Sequence, residues 1–230
     1  MENKEKENKK ENAGSQAEKL LLEKLSAAKT VLVGIGNEWA VKGSLNDQEN
    51  EQVKGAYEAL ARLLYEKDYF VVTTATDGEI FAAHLDSSRI VAPCGNVHWK
   101  QCGAGCAGQL WKEDAPEICP VCGASLVENT IHAEHYLEEG YLPQWQVYQK
   151  WLASTVNQEL VILELGEGFL TPTVIRWPFE KTVYFNRKAW MFRVNENFYQ
   201  ISAEIKDRAS AVHENSVKWI SELVPVSKLC

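Results

Sequence analysis

Four cysteines carry the plainest chemistry in this sequence. They are spaced Cys102-x3-Cys106-x12-Cys119-x2-Cys122, two close pairs a dozen residues apart. Such pairs let two tight turns present four thiolates to one tetrahedral ion. Glycines at 103, 105, 108 and 123 supply the open backbone such turns need. Two disulfides are the alternative, but the spacing favours zinc. Four protein ligands leave no open position for a substrate water, so the predicted zinc is structural. Few large apolar residues lie between the pairs, so metal ligation must supply most of the local stability. Apparent binding energies for structural zinc reach about 10–16 kcal/mol.

A fifth cysteine, Cys94, raises a different question. It stands between Pro93 and Gly95 after the apolar run RIVA, with His98 four residues on. A thiol with a pKa near about 8.5 is a poorer proton acceptor at neutral pH than an imidazole near about 6.5. It becomes a nucleophile only where its surroundings lower that value. A small core thiol is the other reading of Cys94.

The elements that must position these residues follow from the apolar pattern. Leu20, Leu21, Leu22, Leu25 and Ala28 recur at helical spacing, as do apolar residues over 51–67 and 143–154. KTVLVGIG (29–36), YFVVTTATDG (69–78), RIVAP (89–93), ELVILELG (159–166) and KAWMFRVN (188–195) read as strands, EIFAAHL (79–85) as a short helix. The stretch from Ser202 to Val224 reads as one long closing helix with Ser202 as N-cap. Trp145, Tyr148 and Trp151 form a core stripe, Trp177-Pro178-Phe179 packs the sheet edge, and His132 and His135 read as surface residues. Apolar strands alternating with helices predict an α/β protein with a doubly wound, Rossmann-like parallel sheet. The four-cysteine module is a small insertion in it. The expected division is a charged, disordered tail at 1–14, a nucleotide-binding body at 15–99 and 129–226, and a zinc module at 100–128. Ligands of such sheets bind beyond the carboxyl ends of the strands. That directs attention to 34–44, 73–78, 94–98, 166–173 and 195–198.

Composition excludes several function classes. The net charge is −8, and the first nineteen residues hold five Lys and five Glu, so the acidic excess lies on the folded body. That disfavours nucleic acid and acidic membranes as partners. The sequence has no apolar run of membrane-spanning length and no hydrophobic leader, which predicts a cytoplasmic protein. Neither a G-x-S-x-G elbow nor a G-x-x-x-x-G-K-[ST] loop appears.

Several stretches, in order, resemble the sirtuins. YFVVTTATDG is similar to their strand ending in T-Q-N-x-D, and RIVAPCGNVHWKQC to the strand ending in His-Gly before the first zinc cysteine. ELVILELGEGFLTPTVIRWPFE is similar to their phosphate- and ribose-binding stretch, and FRVNEN to the strand ending in a ribose-binding asparagine. The G-x-G-x-x-T-P form at Gly166, Gly168, Thr171 and Pro172 looks most like the macrodomain-linked sirtuins, some of which transfer ADP-ribose to protein. The resemblance implies NAD or ADP-ribose as ligand and a protein substrate or partner. It places the cofactor at Gly34, Gly36, Thr73, Asp77, Gly95, Gly166, Gly168, Thr171 and Asn195. The catalytic candidates are Cys94, His98 and Asp77, with His98 replacing the family's histidine base if its loop folds back.

Three departures stand at the chemical centre. Cys94 occupies the place of the histidine that acts as general base on the cofactor ribose, and Ala75 that of an asparagine. In the first loop, GIGNEW, Ile35 replaces a small residue and Glu38 a serine. A carboxylate about 4 Å from a phosphate charge costs about 4 kcal/mol at an effective dielectric near 20. The sequence therefore leaves two functions open: an NAD-dependent transferase that deacylates lysine or ADP-ribosylates protein, and a degenerate relative that binds NAD, ADP-ribose or a partner without turnover.

Overall fold

The computed structural model describes residues 16–41, 47–106 and 108–223. The charged tail, Cys230 and residues 42–44 of the first loop lie outside them. Six strands form one all-parallel sheet: β1 (Thr30–Ile35), β2 (Asp68–Thr73), β3 (Ile90–Val91), β7 (Leu160–Leu165), β8 (Ala189–Val194) and β9 (Ala209–Val212). Their order is β3-β2-β1-β7-β8-β9. Between β3 and β7 the chain builds a three-stranded antiparallel sheet from β4 (Gly95–Cys102), β5 (Leu110–Trp111) and β6 (Leu126–Thr130).

Strand alternation sends successive side chains to opposite faces. Val31, Val33 and Ile35 of β1, with Val161, Leu163 and Leu165 of β7, face a helical layer. That layer comprises α1 (residues 16–27), α2 (Asp47–Leu64) and α5 (Ser216–Leu223). Val53, Tyr57, Leu60 and Leu64 of α2 recur every three or four residues and form its buried stripe. Leu32, Phe70, Leu160, Ile162 and Met191 face the other way, onto α3 (Leu142–Ser154) and α4 (Arg176–Phe185). Tyr148 and Trp151 of the aromatic stripe are buried there; Trp145 is half-buried.

Five expectations need correction. Residues 202–223 are not one helix. Ala209–Val212 instead pairs with the free edge of β8 as β9, satisfying that edge, and α5 begins only at Ser216. Its start is capped by Asn215, whose Oδ1 accepts from the Lys218 N–H at 3.2 Å. The segment 79–85 holds a single 3-10 turn (Glu79–Phe81), and β3 is only two residues long. Residues 95–98 are strand rather than loop. Lastly, Trp177-Pro178-Phe179 lies inside α4, where the proline falls in the first turn and lacks only an N–H with no intrahelical partner. Phe179 is fully buried beneath the sheet and Trp177 is half-exposed.

The chain moves outward from β1 through β2 to β3, then returns to β7 on the other side of β1. The switch point of the sheet is therefore the crevice between the ends of β1 and β7.

Candidate functional site

Cys102, at the end of β4, and Cys106 meet Cys119 and Cys122, and all four Sγ atoms lie within 4.8 Å of one another. Three of the contacts are 3.5, 3.6 and 3.5 Å. A tetrahedral ion with metal–sulfur bonds of about 2.3 Å needs sulfurs roughly 3.8 Å apart, so the cluster fits zinc. Backbone N–H groups of Cys106 and Ala104 hold the Cys102 thiol below its ordinary value. Those of Cys122 and Val121 do the same for Cys119. Both effects favour thiolate ligands.

At the switch point the loops after β1 and β7 are pulled together. The Gly36 N–H donates to Leu165 O at 2.8 Å, and the Glu38 N–H to Gly166 O at 3.4 Å. A Cβ on Gly36 would lie 2.4 Å from the Glu167 Cα; one on Gly34 would lie 2.5 Å from Ile175 Cγ2 and 2.7 Å from the Phe179 ring. Both glycines thus serve close packing, Gly36 of loop on loop and Gly34 of sheet on α4. Gly166, at φ +69°, would drive a side chain into Glu38. Glu38 is fully engaged: Oε1 accepts from the Glu196 N–H at 2.8 Å, and Oε2 from the Ser216 N–H at 2.7 Å and hydroxyl at 2.6 Å. Its carboxylate pins the ends of β1 and β8 to the start of α5. Of this loop's N–H groups, those of Gly36, Glu38, Trp39, Ala40 and Val41 are spent within the protein.

The loop after β7 is different. Among the described residues, the N–H groups of Gly168, Phe169, Leu170, Thr171 and Thr173 donate to no protein acceptor. Converging free N–H groups are what a phosphate needs. Asn195 organises the facing loop: its Oδ1 accepts from the Asn197 and Phe198 N–H groups, and its Nδ2 donates to Glu167 O at 3.0 Å. Thr73 accepts from the Ala75 N–H at 3.1 Å. Asp77 caps two turns, accepting from Val41 N–H at 2.6 Å and Glu79 N–H at 3.0 Å, and burial pushes its carboxyl up.

Cys94 is buried, and that burial pushes its thiol up to about 11, outweighing the Thr171 side chain beside it. At neutral pH it is a neutral thiol, neither base nor nucleophile. Gly95, at φ +86°, lets β4 approach β6 so closely that a Cβ would lie 2.1 Å from Asn129 O. His98 does not fold back over Cys94. It is exposed on β4, four residues further along. Its ring packs against Gly78 and lines a 410 Å³ cavity with Phe81, Asn96, Trp99 and Lys112. Neither Cys94 nor the β7 loop lines that cavity. The structure thus brings Cys94, Thr171, Gly166, Gly168, Gly36 and Asn195 to one crevice and sets His98 outside it.

Two features were not legible in the sequence: an ion-pair network in the sheet, and the burial and partner of Glu167, which the sequence shows only as an acidic residue inside the second glycine motif. Glu164 on β7 and Arg193 on β8 are register partners, both about 1% exposed, joined by two contacts of 2.6 and 2.9 Å. Arg176 of α4 adds a 3.3 Å contact to Glu164 and donates to Glu167 O and Phe198 O, tying both loops down. The signal was a lone acid and a lone base in neighbouring apolar strands. The second feature is Glu167. It is 1% exposed, and its Oε2 accepts from the Thr74 hydroxyl at 2.7 Å. Burial pushes its carboxyl up to about 7.

These residues fit the sugar-phosphate portion of NAD through the β7 loop, whose N–H groups are free, and not through the closed β1 loop.

No family model matches the sequence. It is 26% identical to a protein ADP-ribosyltransferase of Staphylococcus aureus (strain Mu50) over 187 residues, 72% of this chain and 59% of that protein. It is 25% identical to a probable bifunctional ADP-ribose hydrolase/ADP-ribosyltransferase of Fusarium oxysporum f. sp. cubense over 141 residues, 51% of this chain and 24% of that protein. The chain therefore spans less than two thirds of either relative's length. Among solved structures, Sir2Tm bound to a propionylated peptide superposes with a TM-score of 0.59 at 12% identity, covering 89% of this chain and 96% of that one. A second sirtuin structure, solved to explain substrate affinity, gives 0.58 at 13% identity with the same coverage. On that likeness the chain has the sirtuin fold, here built as a parallel six-stranded sheet with an inserted cysteine cluster.

Proposed function

We propose that this chain is an NAD-dependent transferase of sirtuin type that moves ADP-ribose onto protein. The observation that carries the choice of reaction is Cys94. Lysine deacylation by the sirtuin route requires a base at that position to activate a ribose hydroxyl, and a buried neutral thiol supplies none. ADP-ribosyl transfer asks less of that position, because the acceptor brings its own nucleophile. The names of both relatives support the same reading.

Bound NAD would supply an ADP-ribosyl group on a good leaving group. In this reading the free N–H groups of Gly168–Thr171 and Thr173 hold a phosphate, and Asn195 fixes the loop opposite. Cys94, hydrogen-bonded to the Thr171 side chain, lines the crevice as a neutral thiol. Cys102, Cys106, Cys119 and Cys122 hold a zinc ion that cross-links the small sheet and takes no part in chemistry. The division into a nucleotide-binding body (15–99 and 129–226) and a zinc module (100–128) belongs to the same proposal.

The test is incubation of the full chain with NAD and candidate acceptor proteins, reading ADP-ribose adducts by intact mass alongside nicotinamide release. Adducts on acceptor protein are expected. Nicotinamide release that occurs only with acyl-lysine peptides, leaving them deacylated, would overturn the choice of reaction. A second reading, a binding module without turnover, is favoured by Glu38, which locks the first loop shut. ADP-ribose binding with neither adduct nor nicotinamide would establish it.

A further inference from the structure

Among the described residues of the crevice, Glu167 has a buried carboxylate oxygen with no partner. Its backbone is wedged between Gly36 and the Asn195 amide at the switch point. Its side chain reaches toward the end of β2, where Oε2 is held by Thr74. Oε1 is buried and has no partner among the described residues. Leaving such an oxygen bare is costly, because it has given up water and received nothing. The adjoining residues 168–173 carry the free N–H groups described above, and Cys94 lies close enough to feel the carboxylate's charge.

We propose that Glu167 is the sugar-recognising residue of this site. Its free Oε1 accepts the hydrogen bond of a hydroxyl on the ribose at the reacting end of an ADP-ribose-type ligand. The assignment rests on the NAD reading above and deepens it. An ADP-ribose-type ligand offers hydroxyls and phosphates, and an ionised carboxylate accepts from the first and repels the second. The phosphate is served next door by the loop N–H groups. A carboxylate bonded to the hydroxyl beside a sugar's reacting carbon also supports positive charge developing there, as in glycoside cleavage. Thr74 fixes the χ angles, so the acceptor is oriented before the ligand arrives.

The form that accepts is the ionised one, so binding follows its titration. The groups facing Glu167 are Glu164 from β7, Arg176 from α4 and the Cys94 thiol. Glu38 on the β1 loop and Asp77 on the β2 loop have their oxygens engaged by backbone N–H groups. Burial dominates, and the Thr74 hydrogen bond and Arg176 oppose it, giving a value of about 7. Between pH 6 and pH 8 the ionised fraction rises about tenfold.

The experiment measures the affinity of ADP-ribose for the full chain at pH 6 and pH 8, in wild type and Glu167→Gln. Glutamine keeps an oxygen for Thr74 and removes the charge, so the prop survives and the acceptor does not. Wild type is expected to bind about tenfold more tightly at pH 8 than at pH 6. The variant should lose that pH dependence and bind at least tenfold more weakly at pH 8. ADP, which lacks the terminal ribose, should bind both proteins alike at pH 8. If ADP binds and ADP-ribose is indifferent to both pH and the substitution, the assignment of Glu167 fails while the NAD reading stands. If wild type binds neither ligand, the NAD reading fails and takes this assignment with it.

Discussion

Glu164 and Glu167 lie three residues apart on one strand and its loop, and both are about 1% exposed. Their surroundings differ in kind. Glu164 meets Arg193 through both oxygens and Arg176 through one, and Arg193 is held in turn by Glu180 at 2.7 Å. Burial pushes its carboxyl up while both guanidinium groups oppose that push. Glu167 has one hydroxyl and a bare oxygen. A buried charge with every oxygen answered organises structure; one left half-answered is held ready for something else. Arg176 links the two, since it bonds Glu164 through its side chain and the carbonyl of Glu167 through its loop. The rigid member of the pair thus fixes the position of the unsatisfied one.

Breaking the satisfied member should cost most. Arg193→Met strips Glu164 of its bidentate partner and leaves a buried carboxylate with one long contact to Arg176. Removing one partner of a buried ion pair costs about 3–5 kcal/mol, readable by urea denaturation. The double variant Glu164→Leu/Arg193→Met should recover part of that loss, because the buried carboxylate goes with its bidentate partner while Arg176 keeps its carbonyl acceptors. A single variant within about 1 kcal/mol of wild type would show that the network organises nothing.

The unsatisfied member should reveal itself through pH. The Glu167 carboxyl is raised from 4.5 to about 7 on folding. A raised value favours the protonated folded state, so this contribution is fully present below about pH 4.5 and is lost as pH rises through about 7. By pH 8 the loss is on the order of 3 kcal/mol. Glu167→Gln cannot titrate, so its stability relative to wild type should rise between pH 5 and pH 8. Parallel pH–stability curves for the two proteins would mean that Glu167 is not buried in the way described.

Glu38 offers a third, smaller contrast, as a carboxylate answered entirely by backbone and hydroxyl donors. Hydrogen bonds to a charged group contribute about 1.5–3 kcal/mol, so Glu38→Ala should lose about 2 kcal/mol in chemical denaturation. It should leave the pH dependence of ADP-ribose binding in place. Loss of that dependence would move the origin of the effect from Glu167 to the loop that Glu38 anchors.

The layered parallel sheet was legible because its signal is local: continuous apolar runs in β1, β2, β7 and β8, buried on both faces, and a helical stripe in α2 need no distant partner to be seen. The cysteine spacing was legible for the same reason. What was not legible depends on partners distant in sequence. Strand β9 exists because β8 offers a free edge, and Ala209–Val212 alone carries no strong preference. The Gly34 and Gly36 contacts depend on Phe179 and Glu167, which belong to a helix and a loop more than a hundred residues away. Glu167 reads in sequence as a misplaced charge in a glycine motif. Only its contact with Thr74, 93 residues earlier, shows that it is held with one oxygen to spare.

Cys94 supplies the smallest and most discriminating effect. If its thiol stays neutral at about 11, then Cys94→Ala removes a sulfur and its Thr171 contact but no charged group. Deleting that volume from a buried site costs about 1 kcal/mol. ADP-ribose affinity and adduct formation should stay within about threefold of wild type, while Glu167→Gln loses tenfold or more in binding at pH 8. Both substitutions fall in the same crevice, so a general loosening of the loops would lower both proteins together. A collapse of adduct formation in Cys94→Ala, with Glu167→Gln intact, would reverse the assignment. The thiol in the place of the sirtuin histidine would then be the reacting group, and Glu167 only a prop for Thr74.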